Sequence, residues 1–201
     1  MRAVITGSQS ATFRVVPSTI AHLDRVLSIE EQSFSAPWSR KMFEQELTGN
    51  PFGHLWGAWV RDANAHGARN NEVREATNKV HEARRNERPV SLAPDAEAVG
   101  DSSEKLIGYI CFWVVFEEFR LMTLAVESEW RRRGIARGLM KEALSWAIAA
   151  GARRALLEVR ASNQAAIQLY ERGGFRTIAV RERYYTNPVE NALIMAMDPI
   201  R

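Results

Sequence analysis

All eighteen aromatic residues of this 201-residue chain lie outside one stretch, residues 62–104, which holds no Phe, Trp or Tyr. Any sizeable core must therefore come from the 158 residues on either side, so the stretch has to leave and re-enter the fold at one place. It carries nine acidic and six basic residues, net −3, which leaves the remainder at +6. With so little to bury, it cannot meet the entropy cost of ordering by itself. Val73, Ala76, Val80 and Ala83 recur at helical spacing and leave room for a marginal helix over 72–88. We expect a flexible insertion, 62–104, in a single compact domain spanning 11–201; a docking arm for a partner is the other use such a segment can have.

The flanking blocks alternate strands and helices. Phe13–Val16 reads as a short strand, and Ser18 or Thr19 can cap a helix to about Phe34, with Ile20, Leu23, Leu27 and Ile29 apolar. Ser39 opens a second helix to about Leu47, stopped by Gly49, Asn50 and Pro51. His54–Val60 and Leu106–Phe116 are strands of a hairpin whose loop is the insertion, and Phe119–Val126 is a third. Gly134–Ala150 is an amphipathic helix with Ile135, Leu139, Ala143, Trp146, Ala147 and Ala150 in one stripe, closed by Gly151. Ala155–Val159 is a buried-type strand, Asn163 caps a helix to Arg172, and Phe175–Tyr184 and Asn191–Met197 are the last strands. The order is β-α-α-β-β-β-α-β-α-β-β, an α/β chain with a mixed sheet and helices on both faces.

Composition excludes several classes. Lone Cys111 can form neither an internal disulfide nor a thiolate cluster, and in an aromatic strand it is expected to be buried and inert. The longest strongly apolar run, Tyr109–Phe116, is far below the ~20 residues of a membrane helix, and the start of the chain is too polar for a signal peptide. His22, His54, His66 and His81 show no ligand spacing, so no metal site is expected. A cytoplasmic protein, monomeric by default and without membrane contact, follows.

The chemistry concentrates where LMTLAV runs through ESEWRRRGIARG into the long helix. The first N–H groups of a helix lack internal partners and carry the positive end of its dipole, a ready anion site. Arg131, Arg132, Arg133 and Arg137 add charge there, although four Arg in seven residues also suits a solvated turn. Glu158 interrupts an apolar strand, where a lone carboxylate is costly to bury. It either points outward to pair with Arg160 or Arg154, or serves as a general base. Tyr170 is a helical aromatic that fits the core or a proton donor, and Asn163 fits a helix N-cap.

Arg131-x-x-Gly134-x-Ala136 resembles the Q/R-x-x-G-x-G/A signature of the GNAT acetyltransferases, and LLEVRASNQAAIQLYERGGF (156–175) resembles the second half of that family's cofactor region. Within the family, this block, EEQSFSAPWS (30–39) and RERYYTNPVENALIMAMDP (181–199) look like the bacterial RimI type, N-α-acetyltransferases of a ribosomal protein's N-terminal alanine. The resemblance omits residues 1–10 and the insertion. It implies the GNAT fold, a mixed and mostly antiparallel sheet, with acetyl-CoA as cosubstrate. Arg132, Arg133, Gly134, Ile135, Ala136 and Arg137 would hold its phosphates, Asn163 its pantetheine arm, and the backbone of Leu124, Ala125 and Val126 its thioester end. Glu158 would be the proton acceptor and Tyr170 the proton donor. Phe34, Pro37, Trp38, Tyr184 and Tyr185 resemble an aromatic rim beside the acceptor amine, though core packing explains them about equally well. The partner implied is a protein N-terminus, that of a ribosomal protein. A lysine side chain or small amine as acceptor is the alternative. A non-catalytic CoA- or RNA-binding module is another, which basic charge supports only non-specifically; nucleic acid is not the expected partner.

Overall fold

The computed structural model describes residues 12–61 and 104–200, with the backbone of residues 3–5. The expected insertion and its marginal helix lie outside the described residues, apart from Glu104, where a strand begins. Residues up to Trp59 and from Leu106 onward make one compact unit, and Val60–Lys105 make another. The first unit carries the candidate site.

The elements in chain order are β1 (Ala3–Ile5), β2 (Phe13–Pro17), a 3-10 turn (Ile20–His22), α1 (Leu23–Ser33), α2 (Arg40–Thr48), β3 (Gly53–Arg61), β4 (Glu104–Val115), β5 (Glu118–Val126), a 3-10 turn (Ser128–Trp130), α3 (Ile135–Ala149), β6 (Arg154–Arg160), α4 (Gln164–Arg172), β7 (Arg176–Thr186) and β8 (Val189–Met197). One eight-stranded sheet runs β1-β2-β3-β4-β5-β6-β8-β7. β1, paired antiparallel to β2, was not expected from the sequence. Thr19 opens a 3-10 turn before α1, and this leaves Ile20 exposed. Ala150 is also exposed, as the C-cap of α3 rather than a member of its buried stripe.

Side chains alternate across a strand, so each face of the sheet takes its own helices. Leu23, Val26 and Ile29 of α1 and Phe43 of α2 pack with Leu55, Trp59, Leu106, Tyr109, Cys111 and Ala125. Burial raises the Cys111 thiol far above its ordinary range. On the other face, Trp146 of α3 meets His54 (4.3 Å between ring centroids), Trp56 (6.0 Å) and Phe112 (6.0 Å).

The sheet is antiparallel in the register of each assigned pair except β5–β6, and that exception positions the site. β5 and β6 pair in parallel over three positions, Glu118↔Arg154 to Arg120↔Leu156. Beyond these, β5 stays with β4 up to Gly108↔Val126, and β6 stays with β8 up to Arg160↔Ala192. A wedge therefore opens toward the C-terminal ends of β5 and β6, with α3 and α4 starting beyond those ends.

His54, wedged among rings, and His22, edge-on to Trp59, both have pKa values lowered, first by burial. The unfolded chain then binds these protons at higher pH than the folded one, so stability is full above the ordinary histidine value and falls as pH drops below it. Denaturation midpoints should decline from about pH 7 toward 5, by at most ~1.4 kcal/mol per pH unit per histidine. His54→Phe should flatten part of that decline.

Candidate active site

Glu127 N donates to Ile107 O (2.9 Å), which makes 127↔107 a hydrogen-bonded pair of the β4–β5 ladder. Alternation then directs the N–H and C=O of Ala125 to Tyr109 in β4, and those of Leu124 and Val126 into the wedge. Ala125 thus contributes no free backbone group there. Arg131 Nε takes Val126 O (2.9 Å), and Arg131 Nη2 donates to Ser33 Oγ (3.2 Å). This arginine ties the turn to the ends of β5 and α1 and is not free charge.

Arg132 and Gly134 both adopt left-handed backbone, at φ 63° and 80°. Glycine at 134 is required by that conformation and not by crowding, since a Cβ there would meet nothing within 4 Å. Gly134 is the N-cap of α3, whose first turn holds no acidic residue and no side-chain cap, so no side chain takes up the leading N–H groups. Ile135 is buried and anchors the helix start, Ala136 is partly exposed, and Arg137 is exposed. The Arg133 guanidinium lies 4.9 Å from the centre of the Trp130 ring. Open space over a glycine, uncapped amides and the Arg132 and Arg137 side chains suit a diphosphate in charge.

Across the wedge, Asn163 caps α4, its Oδ1 accepting from Ala166 N (3.1 Å), which leaves the Nδ2 donor for another partner. Tyr170 is buried two turns on from Asn163, edge-on to Phe175, and burial followed by the neighbouring Tyr185 pushes its phenol well above the usual tyrosine range. Glu158 pairs with neither Arg160 nor Arg154. Arg154 is taken by Glu118 and Arg160 by Glu190, while Glu158 Oε1 receives Arg181 Nη1 at 2.5 Å. The Glu158 side chain remains 30% exposed.

Arg181 pairs with Ala192 and Glu158 with Ile194 on the two sides of β8, which brings Arg181 to Glu158, and β7 then changes register through a bulge between Arg181 and Tyr185. Arg183 takes φ 52° in that bulge, and its N–H donates to Asn191 Oδ1 (2.9 Å). The bulge turns Tyr184 and Tyr185 toward the same carboxylate. The Tyr184 phenol is raised chiefly by its hydrogen bond to Glu158, and the Arg160 guanidinium lies 4.0 Å from the centre of the Tyr185 ring. Of the other aromatic candidates, Phe34 is 36% exposed, whereas Trp38 packs against the α1–α2 core, 5.3 Å from Phe43. Among the described residues, no group of three or more His, Cys, Asp or Glu comes together, and no helix is long and apolar enough to cross a membrane.

Sequence reasoning missed Arg181 and Glu30. Arg181 gave no signal, because its meeting with Glu158 depends on how β6 and β7 pair on the two sides of β8, a tertiary feature. Glu30 did give one: with Leu23, Val26 and Leu27 it occupies i, i+3, i+4 and i+7, an acid on the apolar stripe of α1.

The profile of the acetyltransferase (GNAT) family matches residues 23–175. The chain belongs to that family. It is an acetyl-CoA-dependent N-acetyltransferase, and not a non-catalytic module. It is 28% identical over 173 residues to a putative ribosomal protein bS18-alanine N-acetyltransferase of Bacillus subtilis, covering 86% of this chain and 87% of that one. It is 38% identical over 95 residues to the ribosomal protein bS18-alanine N-acetyltransferase of Escherichia coli K12, a match spanning 46% of this chain and 64% of that protein. A crystal structure of the Escherichia coli ribosomal-protein-S18-alanine N-acetyltransferase superposes with a TM-score of 0.66 at 25% identity, covering 94% of both chains.

Gly134→Ala should lower stability by about 1 kcal/mol through backbone strain alone, and Gly134→Asn by less, because Asn tolerates left-handed backbone. Urea-denaturation midpoints of the two variants check this.

Proposed function

We propose that this GNAT enzyme, one domain spanning 11–201 with 62–104 as an insertion, acetylates the N-terminal α-amine of a protein in the cytoplasm, a ribosomal protein starting with alanine. The observation that carries this reading is the juxtaposition of Glu158 of β6 with Tyr184 and Tyr185 of β7 at the open end of the wedge, across from the uncapped start of α3. The bS18-alanine acetyltransferases similar to the chain supply the acceptor class.

The turn 132–137 binds the diphosphate of acetyl-CoA through the leading amides of α3 and the Arg132, Arg133 and Arg137 side chains. Asn163 Nδ2 and the wedge-facing groups of Leu124 and Val126 hold the arm beyond it, as an added strand would be held. Bound there, acetyl-CoA supplies an activated acetyl group. An α-amine is partly protonated near pH 7 and attacks only as the free base, so a proton has to leave it. Glu158 is exposed enough to receive that proton, directly or through one water. The amine nitrogen bonds to the acetyl carbon as the carbon–sulfur bond breaks, and the sulfur needs a proton. Tyr170 is protonated throughout the working range, because burial raises its phenol. The same shift makes it a weak acid, so its contribution is a hydrogen bond to the departing sulfur, with the proton moving late. Tyr184, Tyr185 and Phe34 line the amine's approach.

Glu158→Gln should lower kcat by about a hundredfold or more at neutral pH while acetyl-CoA affinity by calorimetry stays unchanged. Tyr170→Phe should cost less, about tenfold, given its weak acidity. Mass-shift assays on Ala-, Ser- and Met-starting peptides should show transfer to the alanine peptide first. Activity confined to lysine peptides with blocked N-termini would overturn the acceptor assignment.

A further inference from the structure

The buried acid Glu30 has no part in the chemistry above, yet it sits at the centre of a closed network. It is 1% exposed, near the end of α1. Its Oε1 accepts from Trp38 N (2.9 Å) and its Oε2 from the Tyr109 hydroxyl, which in turn lies 3.4 Å from Thr123 Oγ1. Trp38 stacks toward Phe43 (5.3 Å) and Phe43 sits edge-on to Tyr109 (5.7 Å), so a chain of rings returns to the residue where the hydrogen bonds began.

An apolar side chain at this point of the α1 stripe would stabilise the core more cheaply than a carboxylate. What only an acceptor can do is hold the Trp38 amide, and Trp38 ends the connection between α1 and α2. That connection touches both halves of the site. Ser33 at its start receives Arg131 of the turn before α3, and Ser35 Oγ donates to Asn187 O in the turn between β7 and β8 (3.2 Å). Phe34 lies between these contacts. Thr123, the last member of the network, immediately precedes Leu124, whose backbone faces the wedge.

We propose that Glu30 is a positioning residue: it fixes the 34–38 connection against β4 and β5 and so sets the wall against which the acceptor peptide docks. This rests on the acetyl-transfer reading given above. Both hydrogen bonds of Glu30 run toward it, so two acceptor oxygens are in use. Glutamine can keep the Trp38 bond through its oxygen and donate to the Tyr109 oxygen through its amide, with the Tyr109 hydroxyl turning to Thr123. Methionine fills the volume and holds neither.

With an alanine-starting hexapeptide and acetyl-CoA, Glu30→Met in the full chain should raise the peptide KM about tenfold, the cost of ordering a loop on binding. Its kcat and its affinity for CoA by calorimetry should both stay within about twofold of the parent, and Glu30→Gln should recover most of the lost KM. Tyr109→Phe removes one donor and should raise KM in the same direction, and it serves if Glu30→Met does not fold. An unchanged KM in whichever of these two variants folds, or a Glu30→Gln variant as impaired as Glu30→Met, would overturn the assignment of Glu30 alone. A parent enzyme that transfers acetyl to none of the N-terminal peptides would instead overturn the acceptor reading, and this inference with it.

Discussion

Three paired residues join β5 to β6, and the rest of the site follows from their being so few. Strand backbone that loses its neighbour inside a protein has to find other partners. Here Arg131 takes the carbonyl of Val126, and in doing so fixes the turn that leads into α3. Leu124 and the Val126 amide keep groups directed at the wedge, so a ligand there can complete a ladder the sheet leaves unfinished. Full pairing of the two strands would satisfy the same backbone groups and leave no cleft.

Much of this arrangement was legible in the residues. Helix starts and stops were marked by Ser39, Asn163, Gly134 and Gly151, each with a local cause: a side-chain acceptor at an N-cap, or a backbone that turns left-handed. The basic turn and the acid in an apolar strand also stood out. The parting of β5 and β6 did not, because alternation reports which face a side chain takes and says nothing about how far a pairing runs. The partner of Glu158 was misjudged for a related reason. Nearby arginines in sequence are on offer, but the pairing of β6 and β7 on either side of β8 brings in a residue 23 positions away. β1 is three residues long, too short to show a period.

The arginines also correct a simple view of the charge. The +6 of the aromatic-bearing part suggests a diffuse basic surface. Around the site, though, the guanidiniums have specific work: Arg131 bonds a carbonyl and a hydroxyl, Arg160 bonds Glu190 and the Asn187 carbonyl, and Arg181 bonds Glu158. Surface ion pairs add little to stability, so the effect of Arg160–Glu190 and Arg181–Glu158 is on placement. Arg160 in particular clamps the turn between β7 and β8, and so the strand that carries Tyr184 and Tyr185.

Glu30 and Glu158 show one residue type made to serve two ends by exposure. Glu30 is enclosed with fixed donors, and burial raises its pKa, which Tyr109 and the Trp38 amide oppose. Such a group cannot trade partners during a reaction, so its value lies in geometry that does not change. Glu158 has a half-exposed arginine as its ion-pair partner and solvent within reach. An incoming ammonium can compete with a guanidinium for an exposed carboxylate, whereas no ligand competes for one sealed beneath a helix. In the proposed reaction, proton exchange belongs at the open end of the wedge and rigidity in the core under α1, with Arg131 and Ser35 linking that core to the turns on either side.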